Sequence, residues 1–249
     1  MFLIVIMTTK PELLTYLEKK GFSNKILKAF EKIKRENFIP KNLKPYAYED
    51  TPLSIGNGAT ISQPYTIAFM LNLLELNKLT DKSININNLK ISKSDISKIN
   101  NKAKKRRERS LEDNKLKVNN INKPKILEIG SGSGYVLDLI NEISKNSKIY
   151  GVERIKELVE KSSNVLKAKK NIVVICGDGS KGLKKYAPYD RILISASAEK
   201  IPLHLYSQLK NDGTMVCPVK NSIFQIKRRE LKLEKKEFHG FIFVPLIKG

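Results

Sequence analysis

The stretch KILEIGSGSGYVLDLI, residues 125–140, decides the fold class. KILEI is a short apolar run of the kind that forms a buried strand, and YVLDLI begins an amphipathic helix. Between the two lie Gly130, Gly132 and Gly134, with the spacing G-x-G-x-G. Glycines directly after a strand let the backbone turn sharply and approach a ligand closely. The stretch therefore predicts a strand, a ligand-binding loop and a helix in succession.

The same alternation of strand and helix continues along the C-terminal half. It comprises the predicted strands KIYGVE, NIVVICG, DRILISA and TMVCPV and the predicted helices IKELVEKSSNVLKA and PLHLYSQL. Elements that alternate in this way form a largely parallel sheet with helices on both faces. We expect an α/β, doubly wound, Rossmann-like core over residues 124–249, with its ligand at the carboxyl ends of the strands.

Three acidic residues end successive predicted strands: Glu128, Glu153 and Asp178. A carboxylate after the second strand can accept both hydroxyls of a ribose, and the third can accept from an exocyclic amine. Acidic surroundings favour a cationic ligand and repel a pyrophosphate, and the sequence has no Walker lysine. These features favour S-adenosyl-L-methionine (AdoMet), a sulfonium without phosphate, over NAD or ATP. The alternative is that the carboxylates merely cap helices.

The composition indicates a soluble, strongly basic chain. It has 47 Lys and Arg against 25 Asp and Glu, a net charge of +22. Such a charge attracts anionic partners, although a lysine-rich composition accounts for much of it. Cys176, Cys217 and the two histidines lack metal-ligand spacing, so we expect no metal site and buried thiols in a reducing compartment. No apolar stretch is long enough to span a bilayer, and we expect a cytoplasmic monomer.

Residues 10–77 precede the predicted core and begin with helical periodicity. Four apolar residues share one face of a predicted helix: Ile26, Leu27, Phe30 and Ile33. Residues 37–63 show no sustained period and are rich in Pro and Gly, and loops of that length are usually functional. A second helix is predicted from Pro64, with Ser62 as its N-cap.

Two further segments stand apart from this pattern. MFLIVIM at the N-terminus lacks a basic region and a cleavage site, so we expect a short strand or a leader before Met7 rather than a signal peptide. Residues 78–123 hold 14 Lys or Arg against 5 Asp or Glu and include KKRRER. We interpret them as a flexible basic insertion into a single domain of residues 1–249, for which nucleic-acid contact is the less favoured alternative.

Several blocks together resemble protein-L-isoaspartate (D-aspartate) O-methyltransferases. They are, in order, AYEDTPLSIGNGATISQPY, LEIGSGSGY, VERIKEL, GDGS, YDRILISASA, IPLHLYSQLKNDGTMVCPV and FVPL. The glycine and acidic motifs are shared by many AdoMet-dependent methyltransferases, whereas the first block and VERIKEL are specific to this family. The resemblance covers residues 10–77 and 124–249. Departures occur at Ala59, Ser54 and Lys220, where the family commonly has Gln, Pro and Gly.

The resemblance implies a repair enzyme that methylates the free α-carboxylate of L-isoaspartyl residues in damaged proteins, and leaves open whether D-aspartyl residues are accepted. It implies AdoMet as methyl donor, S-adenosyl-L-homocysteine as product, and Ser62 as the active-site residue. We expect the Ser62 hydroxyl to donate a hydrogen bond to the substrate carboxylate and so orient it. The residues implied to contact the cofactor are Thr60, Ile61, Ser62, Glu128, Gly130, Ser131, Gly132, Gly134, Glu153, Asp178 and Gly179.

Two other functions fit the charge. One is an AdoMet-dependent RNA or DNA methyltransferase, and the other is an inactive cofactor-binding protein that docks to nucleic acid. Base-amine methyltransferases resemble one another in a Pro-Pro-aromatic motif, which is absent after the corresponding strand here. The intact TISQP block, Glu153 and Asp178 argue against loss of activity.

Overall fold

The computed structural model describes residues 8–79, 123–230 and 232–243. The stretch MFLIVIM and almost all of the predicted basic insertion, residues 78–123, lie outside the described residues. The described residues up to Leu79 and from Lys125 onward belong to one compact unit. Within the described part of the chain, no helix has the length and apolar character needed to cross a membrane.

The N-terminal segment contains three helices and a hairpin. Its elements are α1 (Lys10–Lys19), α2 (Asn24–Lys32), the 3₁₀ turns Arg35–Asn37 and Lys41–Tyr46, β1 (Leu53–Gly56), β2 (Ala59–Ile61), α3 (Pro64–Leu73) and the 3₁₀ turn Leu76–Lys78. The predicted helices are present. The stretch expected to lack regular structure forms an antiparallel hairpin, β1–β2. Strands of three and four residues are too short to show an alternating pattern.

The core alternates as predicted and then adds two strands that the pattern did not reveal. Its elements are β3 (Lys125–Ile129), α4 (Tyr135–Ile143), β4 (Lys148–Glu153), α5 (Lys156–Leu166), β5 (Ile172–Cys176), β6 (Tyr189–Ile194), α6 (Leu203–Tyr206), β7 (Leu209–Val219), β8 (Ser222–Arg229) and β9 (Lys232–His239), with 3₁₀ turns at Gly179–Lys181 and Lys184–Tyr186. The helix predicted from PLHLYSQL is only four residues long, because β7 begins at Leu209.

The sheet has seven strands in the order β5-β4-β3-β6-β7-β8-β9. Strands β3 to β7 pair in parallel, whereas β8 and β9 are antiparallel additions at one edge. The chain runs from β3 outward to β5 and returns to β6 on the other side of β3. The switch point therefore lies between β3 and β6, where ligands of such sheets bind.

Both faces of the sheet are covered, as alternation along β3 shows. Ile126 packs in a core with the helices of the N-terminal segment and with α4 and α5. Leu127 and Ile129 point to the opposite face and pack in a second core with Leu205 of α6 and the neighbouring loops. Successive side chains on a strand alternate between faces, so one strand contributes to two cores. These features confirm the predicted α/β, Rossmann-like architecture.

The two cysteines differ in their environment. Cys217 is buried in β7, and burial raises the pKa of its thiol to about 12. Cys176 is exposed, so the prediction that both thiols are buried is wrong for this residue. Cys176 ends β5, an edge strand of the sheet, which pairs only with β4 among the described strands.

Candidate active site

The glycine loop after β3 is held in one conformation by its neighbours. Gly132 and Gly134 have φ of 52° and 84°, values that favour glycine. A Cβ on Gly134 would lie 2.8 Å from Leu166 Cδ1 on α5, and one on Gly132 would lie 3.1 Å from Ile55 Cδ1 on the hairpin. The sequence therefore places glycine where α5 and the hairpin both pack closely on the loop.

Glu153 at the end of β4 is oriented by two backbone donors. Its Oε2 accepts a hydrogen bond from Gly132 N at 2.9 Å, and its Oε1 accepts one from Ile155 N at 2.9 Å. The side chain is 6% exposed. A carboxylate oxygen can accept more than one hydrogen bond, so both oxygens keep acceptor capacity for a ligand.

Glu128 on β3 is an almost fully buried carboxyl group at the switch point. Its Oε1 accepts a hydrogen bond from Ser195 Oγ, just after β6, at 2.6 Å. No partner for its Oε2 is found in the described residues. Burial raises the pKa of Glu128 to about 8, and the charge of Glu153 adds to the rise, while the bond from Ser195 opposes it. A cationic ligand beside Oε2 would favour the ionised form.

Asp178 follows β5 and starts a 3₁₀ turn. Its carboxylate oxygens accept hydrogen bonds from Ser180 N at 2.8 Å and from Ser180 Oγ at 2.9 Å. The next residue, Gly179, packs so closely on β3 that a Cβ there would lie 2.7 Å from Ile129 Cγ2. Asp178 therefore has both of the roles considered for the strand-end carboxylates: it caps a 3₁₀ turn, and it lines a cavity.

Ser62 lies between the hairpin and α3, and the prediction that it caps this helix is wrong. Helix α3 begins at Pro64, its N-cap position is Gln63, and no side chain of the N-cap residue bonds to the helix. The backbone N–H of Tyr65 is instead bound by Asp50 Oδ1 at 2.7 Å, from a distant loop. Ser62 itself is half-buried and lines a cavity.

Two adjoining cavities meet at the switch point. The larger, of about 360 Å³, is lined among others by Thr60, Glu153, Asp178 and Gly179. The smaller is lined by Ser62, Thr60, Ile61, Glu128 and Ser131, whose buried hydroxyl has no hydrogen-bond partner in the described residues. Both cavities share four lining residues, namely Thr60, Gly130, Gly132 and Ser195.

All but one of the predicted site residues line one of these cavities. The exception is Gly134, which is the N-cap residue of α4 and packs against α5. Its contribution is to the shape of the loop, because glycine there allows α5 to approach. The prediction that it contacts the cofactor is not supported by its position.

Ser195 is a site residue that the sequence analysis did not single out. It lies in the SASA stretch directly after β6, lines both cavities and binds Glu128. The strand-end rule that identified Glu128 and Glu153 applies equally to the residue after β6, so this signal was available. Asn57 and Gly58 at the tip of the hairpin also line the larger cavity, but only the folded hairpin brings them there.

Comparison with known proteins identifies relatives across almost the whole chain. The sequence profile described as Protein-L-isoaspartate(D-aspartate) O-methyltransferase (PCMT) matches residues 8–87 and 112–249. The unmatched internal residues, 88–111, lie within the predicted insertion. A protein-L-isoaspartate O-methyltransferase of Petrotoga mobilis is 38% identical over 93% of this chain and 91% of its own. One of Flavobacterium psychrophilum is 37% identical, over 95% and 93%.

Solved structures show the same fold. A protein-L-isoaspartate O-methyltransferase superposes with a TM-score of 0.71 at 23% identity, over 97% of this chain and 66% of that one. A Plasmodium falciparum PCMT in complex with S-adenosyl-L-homocysteine gives 0.67 at 22% identity, over 98% of this chain and all of that one. The profile match and the relatives, together with the site at the switch point, show that this chain belongs to the protein-L-isoaspartate(D-aspartate) O-methyltransferase family.

Proposed function

We propose that this chain transfers the methyl group of AdoMet to the free α-carboxylate of L-isoaspartyl residues in damaged proteins, with Ser62 as the residue that orients the carboxylate. The observation that carries the proposal is the meeting of two cavities at the switch point, the larger lined by Glu153 and Asp178 and the smaller by Ser62 and Glu128. Membership of the family supports the same reaction.

The residues around the larger cavity fit AdoMet. Its volume of about 360 Å³ falls within the range of small-molecule sites. Glu153, with both oxygens directed by backbone donors, would accept the ribose hydroxyls, and Asp178 lies where it could bind an amine of the base. Glu128 lines the adjoining smaller cavity, where its Oε2, which has no partner in the described residues, provides an acceptor for a cationic group. Arg154 also lines this cavity, and its position beside Glu153 leaves the lining acidic by one charge.

The substrate carboxylate requires orientation more than activation. Isoaspartate carries the chain through its side-chain carboxyl, so its α-carboxylate is free, and the reference pKa of about 3.3–3.7 means that it is ionised near neutrality. No general base is therefore needed. Bound AdoMet supplies an electrophilic methyl group on a sulfonium and leaves as S-adenosyl-L-homocysteine. Ser62 Oγ would donate a hydrogen bond to one carboxylate oxygen and hold the other at attack distance, where alignment provides much of the rate.

The product ester needs no further help from the protein. Methoxide is a better leaving group than the original oxyanion, so the neighbouring backbone nitrogen can close a succinimide. Hydrolysis of that ring returns part of the material to normal aspartate. The enzyme therefore has to perform only the methyl transfer.

The experiment is methyl transfer from labelled AdoMet to a short peptide containing one isoaspartate. The same peptide with normal aspartate and an RNA serve as controls. We expect base-labile label on the isoaspartyl peptide alone, because only a carboxyl methyl ester is lost in mild base. Label on RNA, or equal label on both peptides, would overturn the proposal.

A further inference from the structure

Asp50 lies in the loop before β1, and its carboxylate accepts two hydrogen bonds from residues at the start of α3. Oδ1 accepts a hydrogen bond from Tyr65 N at 2.7 Å, and Gln63 Nε2 donates to Oδ2 at 3.4 Å. Ser62 immediately precedes Gln63. One carboxylate thus holds the backbone and a side chain within three residues of the proposed active-site hydroxyl.

Asp50 is itself held from the opposite side. Arg35 is fully buried, donates from Nη2 to Thr51 O at 3.2 Å, and its positive charge attracts the Asp50 carboxylate. Tyr16, on α1, also favours the ionised form of the Asp50 carboxylate. Burial raises the pKa of Asp50, against these favourable contacts. Burying a charged group is costly unless it is paired. The contacts of Asp50 therefore offset part of the cost of placing a carboxylate in this half-buried position.

The contacts of Asp50 tie together the two ends of one segment. Residues 50–65 contain the hairpin and the cavity-lining residues Thr60, Ile61 and Ser62. An ordinary helix cap is local, because the N-cap side chain binds an N–H two or three residues later. Here the N-cap residue Gln63 makes no such bond, and the acceptor comes from 15 residues earlier in the chain. The position of Ser62 therefore depends on a contact that closes the whole segment.

We infer that Asp50 is the positioning residue for Ser62: it fixes the start of α3 and so sets where the Ser62 hydroxyl meets the substrate carboxylate. This inference rests on the proposed function. Asp50 lines neither cavity, so it acts through Gln63 and Tyr65 and does not touch substrate.

The test compares Asp50→Ala, Asp50→Asn and Glu49→Ala. Glu49 is the adjacent carboxylate, and in the described residues it makes no hydrogen bond to α3. For Asp50→Ala we expect turnover on an isoaspartyl peptide to fall roughly 30-fold, because a misplacement of about 1 Å can cost up to about 100-fold. The Kd for AdoMet should stay within about threefold. Asp50→Asn keeps an acceptor for Tyr65 N and should recover most of the turnover, and Glu49→Ala should match the wild type.

Wild-type turnover in Asp50→Ala, an Asp50→Asn variant as slow as Asp50→Ala, or an equal loss of AdoMet binding and turnover would each overturn the inference. Amide exchange at Tyr65 separates its failure from that of the proposed function. We expect protection in the wild type and Asp50→Asn and exchange roughly tenfold faster in Asp50→Ala. If the wild type methylates no isoaspartyl peptide, the proposed function fails, and unchanged exchange at Tyr65 in Asp50→Ala would then refute the contact as well.

Discussion

The two halves of the site are positioned in different ways. In the core, Glu153 and Asp178 line the larger cavity and Glu128 lines the smaller one, because each lies at or just beyond the carboxyl end of a parallel strand of the same sheet. In the N-terminal segment, Ser62 follows a short hairpin and precedes a helix, and regular pairing does not fix its place. Its position depends on single side-chain contacts from residues distant in sequence. The cofactor half thus follows from the fold, and the substrate half depends on a few specific bonds.

Helix α3 is fixed at both ends by such contacts. Asp50 binds its first turn, and at the other end Arg191 Nε donates to Leu74 O at 2.7 Å while Nη2 donates to Glu75 O at 3.2 Å. The last carbonyls of a helix have no partner within it, and the buried Arg191 of β6 supplies one. Helix α3 is therefore anchored to the sheet at one end and presents Ser62 at the other.

The largest expected effect is a loss of turnover from a change in the substrate half of the site, at Ser62. Ser62→Ala should lower turnover on an isoaspartyl peptide by roughly 100-fold or more, since loss of one orienting donor of this kind costs about that much. Binding of AdoMet, measured by titration calorimetry, should change little, because the core supplies most of its contacts. Ser54→Ala, a serine exposed on β1, is the matched control. Unchanged turnover in Ser62→Ala would refute the orienting role.

A substitution in the cofactor half of the site should weaken AdoMet binding instead. Glu153→Ala should weaken AdoMet binding about 50-fold, because hydrogen bonds to a charged group contribute about 1.5–3 kcal/mol each. The same substitution removes the acceptor for Gly132 N and Ile155 N. Glu157→Ala, exposed on α5, should bind AdoMet as the wild type does. Equal affinities of the Glu153 and Glu157 variants would show that the strand-end carboxylate does not hold the cofactor.

The contact of Arg191 with the C-terminal end of α3 should contribute to stability. Arg191→Ala should lower the free energy of unfolding by about 2 kcal/mol, because charged hydrogen bonds to the carbonyls of Leu74 and Glu75 are lost. Arg229→Ala removes exposed ion pairs with Asp212 and Glu234 and should change the free energy of unfolding much less. Urea unfolding of both variants provides the comparison. Losses of equal size would mean that the buried contact does not stabilise the segment.

The last prediction concerns how the stability of the core depends on pH. The folded protein raises the pKa of Glu128 from 4.5 to about 8, so its carboxyl binds a proton more tightly folded than unfolded. This contribution to stability is complete below the unfolded pKa and is lost as the pH rises through the folded pKa. Without cofactor, we expect a loss of roughly 2 kcal/mol between about pH 6 and 8. Glu128→Gln should flatten the dependence of Tm on pH, and parallel curves would contradict it.

The sequence predicted the core better than the N-terminal segment for physical reasons. Strand and helix periods identified the parallel sheet, and the rule that ligands lie at strand ends then selected Glu128, Glu153 and Asp178. The same reasoning failed to predict β8 and β9. Strand β9 is exposed along nearly all of its length at the sheet edge, so it lacks the alternation that marks a half-buried strand.

Local patterns misled where distant residues decide the structure. Ser62 is a residue type that is common at N-cap positions, yet the backbone N–H of Tyr65 donates to Asp50 instead. No local pattern reveals a partner 15 residues away in the chain. Gly134 fits the ligand loop by its spacing, but the approach of Leu166 explains it. Cys176 follows an apolar run and is exposed, because the order of strands determines which of them is outermost.

The most direct measurement is a crystal structure of the full chain with S-adenosyl-L-homocysteine and a short isoaspartyl peptide. We predict that the adenosine lies in the larger cavity, with the ribose hydroxyls on Glu153 and the base beside Asp178. The free α-carboxylate of the peptide should accept a hydrogen bond from Ser62 Oγ at about 3 Å. A peptide carboxylate bound away from Ser62, or a nucleoside bound outside the glycine loop, would contradict the division of the site between the two halves.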